Sequence, residues 1–320
     1  MTSIRRDRPR PKWLPIDAVS YRHFEAAADA LRRGDLVILP TETVFGLGAD
    51  AANAEAVAKI YEAKGRPQFN PLIAHVADLA QAERIAVFDD RARRLAEAFW
   101  PGPFTLVLPV RDRDAVCDLA RAGLDTVAVR VSRSILAFVH ELFDGAIIAP
   151  SANRSGRPSP TTFFDAIEET GFATAFDLNG GDCEIGLEST VVSVLDDVRL
   201  LRPGAITRSQ IEAVVGPLAE AQGDAKRSPG RLALHYAPDA PVRINAEAPS
   251  EGEAFLAFGQ PGPFSLSATG DLREAAANLF RMLREADRTN PTGIAVASIP
   301  AEGLGEAIND RLKRAAGFVG

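Results

Sequence analysis

Short apolar runs alternate with amphipathic helical stretches along most of this chain, and that alternation narrows the choice of fold more than any other feature. FEAAADALRR (24–33) has helical spacing, closes at Gly34 and is followed by LVIL (36–39) before Pro40. AEAVAKIYEAK (54–64) stops at Gly65 and LIAHV (72–76) follows. TVAVRV (126–131), AIIA (146–149) and STVVSVL (189–195) come later, interleaved with DRARRLAEAF (90–99) and SRSILAFVHEL (132–142). This order predicts an α/β fold, a twisted sheet covered by helices. Some crossovers are short, so mixed rather than purely parallel pairing is expected. At 320 residues the chain exceeds one ordinary domain. After a helix near Arg208 to Val215 the text loosens into Gly, Pro and Ala, then returns to strand and helix patterns in EAFLAF (253–258), DLREAAANLFRMLREAD (271–287), GIAVASI (293–299) and GEAINDRLKRAA (305–316). The expected division is an extension over 1–20, a large domain over 21–208, an interdomain linker over 209–240 and a small α/β domain over 241–320.

Composition excludes several function classes. The net charge of −7 argues against a chain whose whole surface binds nucleic acid, so any anion site must be local. Cys117 and Cys183 have no further partners, which removes a disulfide framework and a cysteine zinc site. No metal site is expected. No apolar run reaches membrane-span length and the basic start lacks a secretory core, so a cytoplasmic, monomeric protein without membrane contact is expected. HExxH, GxSxG, Walker and GxGxxG patterns are all absent.

Three segments concentrate polar chemistry. PTETVFGLG (40–48) follows a strand and sets two hydroxyls and a carboxylate beside glycines, which suits a small polar ligand, but its spacing alone favours a strand ending in a Pro-Gly turn. Lys64-Gly65-Arg66-Pro67, with Asn70 and His75 beyond, reads either as an ordinary helix stop or as a paired cation site. The helix dipole would oppose an anion there, so the two side chains would have to hold it themselves. APSANRSGRPSPTT (149–162) gathers Ser151, Asn153 and Arg157 in a loop that can cradle phosphate or lie solvated, with Thr161 or Thr162 capping the next helix. In TVAVRV, alternation puts Thr126, Ala128 and Arg130 on one face, where an arginine needs an anion or an ion-pair partner. Ser189 opens a strand and Arg202 closes the next.

Taken in order, PTETVFGLG, KGRP with NPL and His75, FWPGPFTLVLP, LDTVAVR, APSANRSGRPSPTT, GLESTVV and LLRPGAI resemble the YrdC-like family of L-threonylcarbamoyladenylate synthases over about Leu31 to Ile206. SPGRLALHYAP and GLGEAINDRLKRAA resemble the second domain of that family's longer form. The resemblance implies condensation of L-threonine, bicarbonate and ATP to threonylcarbamoyl-AMP and pyrophosphate. Other proteins then pass the group to adenosine 37 of tRNAs reading codons that begin with A. It implies Lys64 and Arg66 as the catalytic phosphate holders. Arg66, Asn70, Thr126, Ser151, Asn153, Arg157, Arg202 and Tyr236 would contact ATP, which would bring Mg²⁺. Thr43, His75, Arg130, Ala149 and Ser189 would line a threonine pocket. His235-Tyr236-Ala237-Pro238 matches a segment that folds over the active site, and Phe45 stands where the family often has tyrosine. A non-catalytic RNA-binding module using Arg121, Arg130, Arg133, Arg154 and Arg157 is the competing reading; a carbamoyl-transfer relative is a third.

Overall fold

The computed structural model describes residues 21–67, 69–134, 139–220 and 235–318. The 1–20 extension, the 221–234 part of the expected linker and the middle of SRSILAFVHEL lie outside them. The large unit runs α1 (Tyr21–Arg32), β1 (Val37–Leu39), β2 (Gly46–Asp50), α2 (Ala54–Lys64), β3 (Ile73–His75), α3 (Leu79–Ile85), α4 (Asp90–Phe99), β4 (Phe104–Pro109), β5 (Thr126–Arg130), β6 (Ile147–Ile148), α5 (Phe163–Thr170), β7 (Phe176–Asp177), β8 (Thr190–Val194), β9 (Val198–Arg202) and α6 (Arg208–Val215). Its nine strands form one sheet in the order β7-β1-β2-β6-β3-β5-β4-β8-β9. Pairing is mixed, as the short crossovers predict: β3/β5 and β4/β8 are parallel, whereas β1/β2, β4/β5 and β8/β9 are antiparallel. The small unit runs β10 (Val242–Arg243), β11 (Glu253–Phe258), β12 (Phe264–Ser267), α7 (Leu272–Asp287), β13 (Gly293–Val296) and α8 (Leu304–Ala315), with all four strands parallel.

Local chemistry sets several element ends. Asn53 caps α2 through its side chain, and Gly65 ends it at φ 58 in the left-handed region where the absence of a Cβ costs least. Thr162 caps α5. PTETVFGLG is not only a turn, because Gly46–Gly48 enters β2 and pairs back onto β1. The turn reading missed this hairpin because the strand carries glycines in place of β-branched residues. Phe45 is fully buried 6.0 Å from the Phe163 ring, so an apolar contact stands where a tyrosine hydroxyl would be.

The two faces of the large sheet differ. Val127, Val129, Leu106, Ala74 and Val192 point into the main core with α2, α3 and α4. The opposite face carries a small apolar patch, Ile73, Val107, Ala128, Val191 and Leu201, flanked along the same strands by His75, Thr126 and Arg130. The small unit's core does not end at its own sheet: Val44, Leu187 and Tyr236 join it from the large unit's loops and from the linker. Gly186 shows how close that approach is, because a Cβ there would stand 2.5 Å from the Ala277 Cα. α6 straddles the expected 208/209 boundary, yet Ile211 is buried in the large unit's core and Arg94 donates to the Val214 carbonyl at 3.3 Å. Among the described residues no helix is long and apolar enough to cross a membrane.

Candidate active site

The candidate residues gather about the patch-bearing face of the sheet, several of them at strand ends. His75 and Arg130 close β3 and β5 and sit in register, whereas Thr41 to Thr43 follow β1, whose neighbour β2 runs the other way. Loops from both ends therefore converge over short strands.

Three cations form one half. Lys64 is 3% exposed, and its Nζ donates to the carbonyls of Ser151, at 2.6 Å, and Asn153. The backbone completes this seam, since the Ser155 N–H donates to the Lys64 carbonyl at 2.7 Å. Burial, then the neighbouring Arg66 charge, holds the ammonium well below its usual pKa. Arg66 donates to the carbonyls of Asn70 (3.4 Å) and Pro71 (3.2 Å), and burial takes its pKa down to about 10. Arg202 donates to the Ser189 carbonyl through Nε (3.0 Å) and Nη2 (2.9 Å) and to Ser189 Oγ at 3.1 Å. All three are satisfied by neutral groups. Among the described residues none has a carboxylate within ion-pair distance, an arrangement that reserves positive charge for an anion. Asn153 donates to the Arg154 and Arg157 carbonyls while its buried Oδ1 has no partner.

His235 and Tyr236 sit on this cluster. Burial, followed by the charges of Arg66, Lys64, Arg202 and Arg311, pushes the His235 pKa well down. Tyr236 is 1% exposed and holds φ at 64, a left-handed backbone that a bulky residue adopts only when packing enforces it. The Ala237 N–H donates to the Gly156 carbonyl at 2.7 Å, tying the segment to the APSANRSG loop.

The other half is built on Arg130. Its Nη1 donates to Thr43 Oγ1 at 3.1 Å, its Nε to the Gly102 carbonyl at 3.1 Å, and its Nη2 lies 2.8 Å from Glu42 Oε1. That last approach is an ion pair whose alignment falls short of hydrogen-bond geometry. Burial alone would raise the Glu42 carboxyl, but Arg130 and the Ser132 hydroxyl take its pKa to about 2. His75 is buried with Nδ1 unpartnered, and burial followed by the Arg130 charge holds it well below its usual pKa, hence neutral. Ser189 joins the halves, its hydroxyl 2.8 Å from Thr105 Oγ1 and within reach of Arg202. Because Glu42 titrates below the ordinary 4.5, its ionised form stabilises the fold in full above that pH and loses this contribution as pH falls toward 2. Denaturation curves should therefore show the stability gap between wild type and Glu42→Gln narrowing as pH is lowered from about 5 to about 3. A constant gap would remove the ion-pair assignment.

Other residues named from the sequence lie differently. Thr126 opens β5 on the same face as Arg130, and Ala149 ends the β6 segment beside Gly46. Arg157 is engaged by carboxylates, with Glu169 at 3.0 Å and Asp239 at 2.6 Å, so it ties the loop to α5 and the linker end. Of the arginines proposed for RNA, Arg121 is 1% exposed and bonded to Asp118 and two carbonyls, Arg133 pairs with Glu184 and Arg154 with Glu169. They do not make a continuous basic face. Two residues passed over in the sequence are central here, Glu188 and Arg311, while Glu42, noted only as the carboxylate of PTETVFGLG, proves to be the partner of Arg130. Glu188 accepts from the Ser159 hydroxyl and from Arg311 Nε at 3.0 Å.

A family model described as "Telomere recombination" (Sua5, YciO and YrdC) matches residues 29–204, and one described as "Threonylcarbamoyl-AMP synthase, C-terminal domain" matches 206–317. The chain belongs to the Sua5/YrdC family. It takes the two-domain form. A Bacillus subtilis relative, "Threonylcarbamoyl-AMP synthase", is 41% identical over 91% of this chain and 92% of its own length. One of the same name from Pyrococcus abyssi is 39% identical over 91% and 93%. Among solved structures, P. abyssi Sua5 complexed with L-threonine has a TM-score of 0.86 at 37% identity, covering 94% of this chain and 96% of that one. A P. abyssi Sua5 variant with a His-Tyr pair changed to alanines has a TM-score of 0.85 at 36% identity, with 94% and 95% covered.

Proposed function

We propose that this protein is an L-threonylcarbamoyladenylate synthase, a nucleotidyltransferase that condenses L-threonine, bicarbonate and ATP to threonylcarbamoyl-AMP and pyrophosphate. The observation that carries this reading is the pairing of two dissimilar halves on one face: three uncompensated cations beside a neutral-histidine, arginine-carboxylate pocket. Lys64, Arg66 and Arg202 hold the phosphates, with Asn70, Ser151, Asn153 and Tyr236 around the nucleotide and Thr126 on the same face. Phosphate charge beside Lys64 opposes the effect of burial and raises its pKa again, so nucleotide binding and lysine protonation are linked. Thr43, His75, Arg130, Ala149 and Ser189 line the threonine pocket, Arg130 meeting the substrate carboxylate.

Threonine nitrogen joins the bicarbonate carbon with loss of water to give a carbamate, and a carbamate oxygen attacks the α-phosphorus as pyrophosphate leaves. Charge grows on the departing phosphates, where the preset cations stabilise it. No residue need be acylated or phosphorylated, and the two halves hold the reactants adjacent. Mg²⁺ would enter with ATP as part of the substrate and would help neutralise its phosphates. The 235–238 segment covers a product labile to water, which passes to the proteins that modify tRNA. The residues 21–208 form the catalytic unit, 209–240 the linker and 241–320 the second unit in this reading, with α6 retained by the catalytic core. In the cytoplasm all three substrates are at hand. Pure protein given ATP and bicarbonate should release pyrophosphate only when threonine is added; release without threonine overturns the assignment.

A further inference from the structure

The second unit sends one side chain into the site. Arg311, on α8, has no exposed surface. Its Nε donates to Glu188 Oε2 at 3.0 Å and its Nη1 to the Pro203 carbonyl at 2.8 Å and to Asp310 Oδ2 at 2.8 Å. Its guanidinium carbon lies 5.5 Å from the centre of the Tyr236 ring. Two of these partners, Glu188 and Pro203, adjoin the residues that hold Arg202. Glu188 precedes Ser189, which accepts from Arg202 through its carbonyl and its hydroxyl, and Pro203 follows Arg202. Glu188 is also near enough to act on the charge of Arg202. Both oxygens of this carboxylate are occupied, one by the Ser159 hydroxyl and one by Arg311, so neither is left to pair with Arg202.

We propose that Arg311 is a positioning residue for nucleotide binding, which keeps Glu188 engaged so that Arg202 stays available to the phosphates and Tyr236 stays seated above them. This rests on the ATP-dependent reading above. It gives the second unit a task in the chemistry, because the guanidinium that sequesters the carboxylate is supplied by that unit's helix. Gly204 keeps the same strap tight: a Cβ there would meet the Thr190 nitrogen at 2.5 Å and the Glu188 carbonyl at 2.7 Å.

The test uses full-length protein, isothermal titration with a non-hydrolysable ATP analogue, and steady-state kinetics. Arg311→Met frees Glu188 and should weaken analogue binding about tenfold or more and raise KM for ATP, with KM for threonine changed less than about twofold. Because a lone buried carboxylate can unfold the chain, the Glu188→Gln/Arg311→Met double variant is measured beside it; it carries no uncompensated charge and should recover affinity to within about threefold of wild type. Arg311→Met binding as tightly as wild type overturns the proposal. A double variant as weak as the single also overturns it, since Arg311 would then act only through contacts that Glu188 does not share. Failure of the wild-type protein to bind the analogue would instead overturn the ATP-dependent reading.

Discussion

Lys64→Ala should lower threonine-dependent pyrophosphate release by roughly 10²–10³-fold while the folded protein persists, and Arg66→Ala should do the same. The expectation follows from how these side chains are held. Neither is paired with a carboxylate; each donates to backbone carbonyls, Lys64 to Ser151 and Arg66 to Asn70 and Pro71. Their removal therefore leaves no buried countercharge behind. The structural cost is confined to carbonyls that lose a donor, on the order of 1–3 kcal/mol for Lys64, which circular dichroism and a melting curve would register separately from rate. Full activity in both variants with native melting would show that the phosphates lie elsewhere.

Arg130→Gln should behave in the opposite way, damaging stability and threonine use together. Here the charge is balanced by Glu42, which is equally buried, and an abandoned carboxylate costs about 3–5 kcal/mol. The single variant should thus melt well below wild type. Adding Glu42→Gln removes the orphan charge and should restore most of the lost stability, while threonine-dependent turnover stays down by roughly two orders of magnitude or more because the substrate carboxylate has lost its partner. Recovery of both properties in the double variant would mean that Arg130 is structural only.

The fold was readable in the sequence where periodicity and punctuation agree. Gly34, Gly65 and the run LIAHV mark element ends that the structure keeps, and the second unit's helices were visible in their apolar stripes. β2 was hidden because its glycines carry no strand signature, and its place is set by pairing with β1 and β6. Long-range partners were harder still. Nothing local shows that Arg157 faces Glu169 or that Glu42 faces Arg130. One clue to Arg311 was present: on α8 it falls in the stripe of Ala307, Ile308, Leu312 and Ala315, where a charge is out of place unless something buried answers it. Arg284, buried on α7 against Glu169, follows the same rule.

The Glu42–Arg130 pair carries a consequence for selectivity. Its charges cancel, so this end of the cavity is a dipole and not an ion. An amino acid is also a dipole at neutral pH, with a carboxylate suited to Arg130 and an ammonium suited to Glu42. Such a guest enters without adding net charge to a dry interior, whereas a simple carboxylic acid or a simple amine brings one charge with nothing to offset it.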